Sequence, residues 1–182
     1  MPRQYSPTLL GYVLLGMLNQ TPRSGYDVRI EMINNRVSHF STSPGSIYPA
    51  LQLLKKHGLI ESEILRHSEL KSKEVFNLTN NGKIVLKSWV LKKLTLSDIK
   101  DNLPELMLRF RFMESLVSNN ETLNFLIDLR RKTKTYTRIL KAQFQAETGS
   151  SLYRELEFQR ELTILDIHNQ WATVAIKTFE PA

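Results

Sequence analysis

From Thr8 to Asn19 nearly every position is apolar, with Leu9, Leu10, Val13, Leu14, Leu15, Met17 and Leu18. A helix apolar all round has to be covered all round. TPRSGYD reads as a turn in which Ser24 and Asp27 have the spacing of a capping box. A second helix is expected over residues 25–34, carrying Tyr26, Val28, Ile30 and Ile33 and ended by Asn34-Asn35. A polar connection, Ser41 to Gly45, leads into SPGSIYPALQLLKKHGLI, Ser43 to Ile60. On a helix of 3.6 residues per turn, Ile47, Ala50, Leu51 and Leu54 share one face. Pro49, Gln52 and Lys56 point the other way, with Tyr48 and Lys55 on a shoulder. An interior proline loses a hydrogen bond and clashes one turn back. The regular helix is therefore expected from about Ser46 to His57, with SPG as an irregular entry and Gly58 as the stop.

Strands are expected over residues 60–65 and 73–78, joined by the polar loop Arg66–Ser72. Thr79 is positioned to cap a helix running to about Leu96. A short helix with an apolar underside and a cationic outer side, followed by a strand pair, has the form of a recognition helix with a wing.

Beyond a boundary near residues 96–102 the pattern is helical throughout: one segment over 98–116, a second from Glu121 to Glu147 capped by Asn119 or Asn120, and a last from Ser151 to Phe179. The second carries Leu126, Leu129, Thr133, Tyr136 and Leu140 at steps of three and four. The last has Phe158, Leu162, Leu165, Ala172 and Ile176 on one side and Ile164, Ile167, Trp171 and Val174 roughly opposite. A helix apolar on two sides is sandwiched, most simply between its own domain and a second subunit. The expected architecture is mostly α with a small β-hairpin: residues 1–96 form a winged helix-turn-helix DNA-binding domain, and 97–182 an antiparallel, coiled-coil-like dimerisation domain. Leu126, Tyr136, Leu162, Ile167, Trp171 and Val174 are expected at the subunit interface.

Composition narrows the chemistry. The 182 residues carry a formal charge of +7, which favours an acidic partner. Residues 1–90 hold 11 basic against 6 acidic side chains and the remainder 14 against 12, so positive charge is richer in the half with the helix and hairpin. The absence of cysteine excludes disulfides, thiolate metal sites and cysteine nucleophiles, and fits a cytoplasmic protein. His39, His57, His67 and His168 lack ligand spacing, so no metal is expected. No nucleotide-binding glycine motif or hydrolase elbow occurs, so neither a cofactor nor enzymatic activity is expected. The apolar N-terminal run is too short and too broken by Gly11, Tyr12 and Gly16 to span a bilayer. The densest basic run, Arg130–Lys141, is a rival nucleic-acid site, but it lies on a helix whose apolar stripe points to packing.

Taken in order, Gly25-Tyr26-Asp27, the block Gly45 to Leu54, Gly58-Leu59-Ile60 and Leu78-Thr79 with Gly82 closely resemble the PadR family of bacterial transcription regulators. The longer helical second half resembles the branch that includes the AphA virulence activator. The resemblance implies a homodimer on an inverted-repeat operator in double-stranded DNA, acting as a repressor, with release by a small phenolic or drug-like effector in some relatives. Glu74 beside Lys73 departs from the more basic second wing strand common in the family. The outer face of the opening helix is the expected reader, with Ser43, Ser46, Tyr48, Gln52 and Lys56 toward the major groove and Gln52 suited to an adenine edge. Arg66, His67, Lys71 and Lys73 would hold the backbone or minor groove from the wing. Trp89 and Trp171 are read chiefly as core or interface residues, with the wall of an effector cavity as the alternative. A winged-helix protein–protein adaptor, or an activator working with a partner regulator, are the competing functional readings.

Overall fold

The computed structural model describes residues 5–34, 42–68 and 71–179. His39, the start of the Ser41–Gly45 connection and the centre of the Arg66–Ser72 loop lie outside the described residues. The chain forms two compact units, Met1–Val90 and Leu91–Ala182.

In the first unit, α1 (Leu9–Gln20) starts on Thr8, whose hydroxyl accepts from the Gly11 amide at 3.2 Å. Its largely apolar sequence is buried as the pattern demands, since Val13, Leu14 and Leu15 are wholly enclosed. The TPRSGYD turn contains a short strand, β1 (Arg23–Ser24), and then α2 (Gly25–Asn34). Ser24 Oγ accepts from the Asp27 amide at 3.2 Å while Asp27 Oδ2 accepts from the Ser24 amide at 3.2 Å, so the capping box is real.

The recognition-type helix, α3, spans Pro44–Lys56, two residues earlier than its proline pattern suggests. Pro44 at the first helical position loses no bond and presets φ. The Ser43 carbonyl accepts from the amides of Ser46 (3.0 Å) and Ile47 (3.2 Å), which closes the first turn over SPG. Pro49 is consequently interior, and its cost is confined to one bond to Gly45 near the helix start. Gly58, at φ 66°, ends the helix in the left-handed conformation, with its amide on the Lys55 carbonyl at 2.9 Å.

The hairpin is longer than the polar loop implied: β2 (Ile60–Ser68) and β3 (Lys71–Leu78) pair antiparallel from Ile60↔Leu78 out to Ser68↔Lys71. β1 pairs with the other edge of β3, Arg23↔Phe76 and Ser24↔Val75, giving the sheet order β1-β3-β2. α4 (Asn80–Val90) starts where the Thr79 hydroxyl accepts from the Gly82 amide at 3.0 Å and donates to the Gly58 carbonyl at 2.7 Å. It stops at Val90, short of the expected Leu96.

In the second unit the expected segment 98–116 is broken in two, α5 (Leu96–Asp101) and α6 (Leu103–Arg111). Thr95 and Asp98 form a full capping box before α5, and Pro104 favours a fresh start at α6. α7 (Asn119–Ala146) is capped by Ser118 in a reciprocal box with Glu121, not by Asn119 or Asn120. α7 folds back on α8 (Leu152–Phe179): Phe144 stacks on Phe158 at 3.9 Å, and Arg154 Nη2 donates to Glu147 Oε1 at 2.8 Å across the turn. Arg109 is only 1% exposed. Its guanidinium donates to the Lys92 carbonyl and lies 5.5 Å from the centre of the Phe125 ring.

Candidate nucleic-acid interface

α3 divides as its sequence predicts. Ile47, Leu51 and Leu54 are fully buried, which fixes the opposite side outward. Tyr48, Gln52 and Lys56 stand one turn apart on that outer side and are all exposed, with Ser43 exposed and Ser46 half-buried at its start. Ser43 Oγ and Ser46 Oγ lie 3.0 Å apart. Tyr48 has a second duty. Its ring lies so close to α2 that a Cβ on Gly25 would meet its Cε1 at 2.6 Å, so the glycine permits the two helices to approach. Arg29 Nε donates to the Thr42 carbonyl at 3.0 Å, tying α2 to the entry of α3. At the far end, His57 stacks on Tyr5 at 3.9 Å.

The wing is coupled to both helices by charge. Lys55 Nζ donates to Ser62 Oγ (2.6 Å) and Glu74 Oε1 (3.1 Å), while Ser62 Oγ donates to Glu74 Oε1 at 2.7 Å. Lys73 Nζ pairs with Asp27 Oδ2 at 2.7 Å. The hydrogen bond from Ser62, then Lys55, draws the Glu74 carboxyl below its ordinary range, and Lys73 does the same for Asp27. Lys73, expected at DNA, is thus engaged within the fold. Arg66, His67 and Lys71 lie toward the tip of the hairpin, but their side chains are outside the described residues. The Lys55–Ser62–Glu74 cluster escaped the sequence reading because it depends on register. With Ser62 opposite Phe76, Glu74 is its diagonal neighbour, a relation no linear pattern displays.

A lowered folded-state carboxylate pKa contributes stability above the unfolded value, and that contribution is lost as pH falls through the folded one. Glu74→Gln is therefore expected to lower the melting temperature of the first unit at pH 7. The gap to the parent should close as pH drops below the ordinary glutamate value of 4.5. A gap of constant size across that range, followed by calorimetry, would show that the carboxylate charge is not what holds the wing.

The residues expected to join two subunits separate into two groups. Leu126 and Tyr136 are buried within the chain's own helices. The Tyr136 hydroxyl donates to Glu161 Oε1 at 2.9 Å, and burial together with that bond pushes its pKa up to about 12. Leu162 is half-buried and faces α7. These three pack against the chain's own helices. Ile167 (59%) and Val174 (67%) are exposed on the other side of α8. Trp171 is half-buried, with its ring edge-on to Phe110 at 4.9 Å. Trp89 is buried and stacks on Tyr12 at 4.7 Å within the first unit's core. Among the described residues no cluster of three or more His, Asp or Glu is placed to hold a metal, and no helix is long and apolar enough to cross a membrane.

A helix with an apolar underside and an exposed Gln–Lys face, set against a preceding helix and followed by a two-stranded wing on a small antiparallel sheet, defines a winged helix-turn-helix DNA-binding module. Residues 14–88 match the model of the transcriptional regulator PadR-like family. The matched segment is thus a PadR-like domain, of a family described as transcriptional regulators. It is 26% identical over 144 residues to the negative transcriptional regulator PadR of Bacillus subtilis, a match covering 79% of this chain and 77% of the relative. Similar solved structures include Bacillus subtilis PadR in complex with operator DNA (TM-score 0.46, 23% identity, 95% of this chain and 100% of that one). The same protein in complex with p-coumaric acid matches with TM-score 0.43 and 23% identity over 96% of this chain and 100% of that one.

Proposed function

We propose that this regulator is a repressor that binds an inverted-repeat operator as a homodimer, placing one α3 in each of two successive major grooves. The observation that carries the reading is the outer face of α3, where Gln52 and Lys56 are exposed while Ile47, Leu51 and Leu54 anchor the helix from below. Gln52 offers a donor and an acceptor to an adenine edge, and Lys56 a point charge to phosphate. Support for repression comes from the negative regulator it resembles. Support for a dimer comes from α8, whose residues Tyr153, Leu156, Ile167 and Val174 form an exposed apolar stripe on one side. Two α3 helices joined in this way would read half-sites about 34–36 Å apart, and occupancy of a promoter would block transcription.

Lys56→Ala tests the reading. It should weaken binding to specific and random duplexes alike and reduce the slope of log K against log salt by about one. Gln52→Ala, by contrast, should erode discrimination between sequences with little change in slope. An unchanged slope for Lys56→Ala would remove α3 from the groove and favour the adaptor reading, in which the winged helix docks a protein.

A further inference from the structure

The basic run on α7 is not absorbed by the α3 interface. Lys134, Arg138 and Lys141 recur at steps of four and three, on one face of α7. They border a cleft against α8 with a volume of about 460 Å³, within the range of small-molecule sites, roughly 300–1,000 Å³. Leu162 and Leu165 supply its apolar floor, and Asp166 and Asn169 complete the α8 side. Arg131 and Lys132 on the same run share Asp128 as an ion-pair partner. Lys134, Arg138 and Lys141 have no ion-pair partner among the described residues. Asp166, the one carboxylate at the cleft, accepts from Gln170 Nε2 at 2.6 Å. Asn169 Oδ1 is buried with no hydrogen-bond partner among the described residues, an arrangement costly enough that such acceptors usually have a partner in the working state.

Three unpaired cations, a leucine floor and an orphaned acceptor ask for three things in one molecule: an anion, an aliphatic body and a hydroxyl donor. We propose that the α7–α8 cleft binds a small amphipathic organic anion, a hydroxylated aliphatic carboxylate. The carboxylate sits among Lys134, Arg138 and Lys141, the chain lies on Leu162 and Leu165, and the hydroxyl donates to Asn169. Leu165 and Asn169 lie on the opposite side of α8 from Ile167 and Val174, at 100° per residue. A second copy on the exposed stripe would leave the cleft open, and the site stands whether or not α3 reads DNA.

The test is calorimetric titration of the full chain with 3-hydroxydecanoate, against decanoate, decanol and inorganic phosphate. The expected result is one saturable site per chain for 3-hydroxydecanoate, weaker binding of decanoate, and no comparable binding of decanol or phosphate. Lys134→Glu with Arg138→Glu, both at the surface, should weaken binding by at least about tenfold, as expected for charge-assisted contacts. Asn169→Leu, which removes the orphaned acceptor, should abolish the preference for the hydroxy acid over decanoate. Equal binding of decanol or of inorganic phosphate would overturn the assignment, as would an unaltered affinity in the double variant. If the double variant instead lost salt-sensitive duplex affinity while leaving 3-hydroxydecanoate binding unchanged, the run would be a DNA-backbone contact and the ligand site would be refuted.

Discussion

Replacing Ile167 and Val174 together by aspartate is expected, on the proposed dimer, to leave the chain folded but monomeric and to lower operator affinity by a factor of about 10²–10⁴, the usual loss when two linked contacts become one. Both side chains are exposed, so charge there costs the monomer little. Across a two-fold interface the same carboxylates would face an apolar stripe and one another, and the desolvation cost is borne only by the dimer. Sedimentation gives the state and fluorescence anisotropy with operator DNA the affinity. A dimer of undiminished mass in the double variant would move the interface off this side of α8. Leu126→Asp makes the contrast: that residue is wholly enclosed, so the expected result is unfolding of the second unit rather than clean dissociation.

The second large effect lies far from any interface. Gly82→Ala should destabilise the first unit by about 3 kcal/mol, the upper end for overpacking. A Cβ at this position would stand 2.0 Å from the Leu59 carbonyl oxygen and 2.7 Å from Leu78 Cδ1. The carbonyl cannot step aside cheaply, because it accepts from the Thr79 amide at 3.2 Å at the junction of α3, β2 and α4. Against a total domain stability of roughly 5–15 kcal/mol, such a loss is visible as a lower urea midpoint with an unchanged slope. Trp89 fluorescence in a Trp171→Phe background reports the first unit alone. An unshifted midpoint would mean that α4 can slide away from β2, and that the glycine is dispensable.

Long periodic stretches were legible from residues alone. α1 is buried as its continuous apolar run requires, and the one-sided spacing of Ile47, Leu51 and Leu54 identified the inner face of α3. The Ser24–Asp27 cap, too, was readable in the chain. The failures have a common source in tertiary context. β1 is two residues long and becomes a strand only through its pairing with β3, which no periodicity can announce. The start of α3 turned on whether Pro44 or Pro49 bears the proline cost, and the bonds to the Ser43 carbonyl decided it. The break at Asn102 is marked by Pro104, but Ile99, Leu103 and Leu106, all buried, keep helical spacing across it, so the segment reads as one helix. In the candidate interface, exposure of Gln52 and Lys56 followed from helical geometry. The engagement of Lys55 and Lys73 did not, since their carboxylate partners lie 19 and 46 positions away and are brought close only by the hairpin register.

The crowding of Tyr48 against Gly25 has a consequence for anyone wishing to change the sequence this protein reads. The outward side of α3 is not a uniform canvas. Tyr48 packs closely against Gly25 and Lys55 is bonded into the wing, so randomising either position perturbs the scaffold as well as the proposed reading face. Gln52 and Lys56 are free of such ties among the described residues. Libraries confined to those two positions should alter specificity on an unchanged scaffold, whereas libraries that include Tyr48 should also alter the packing of α2 on α3.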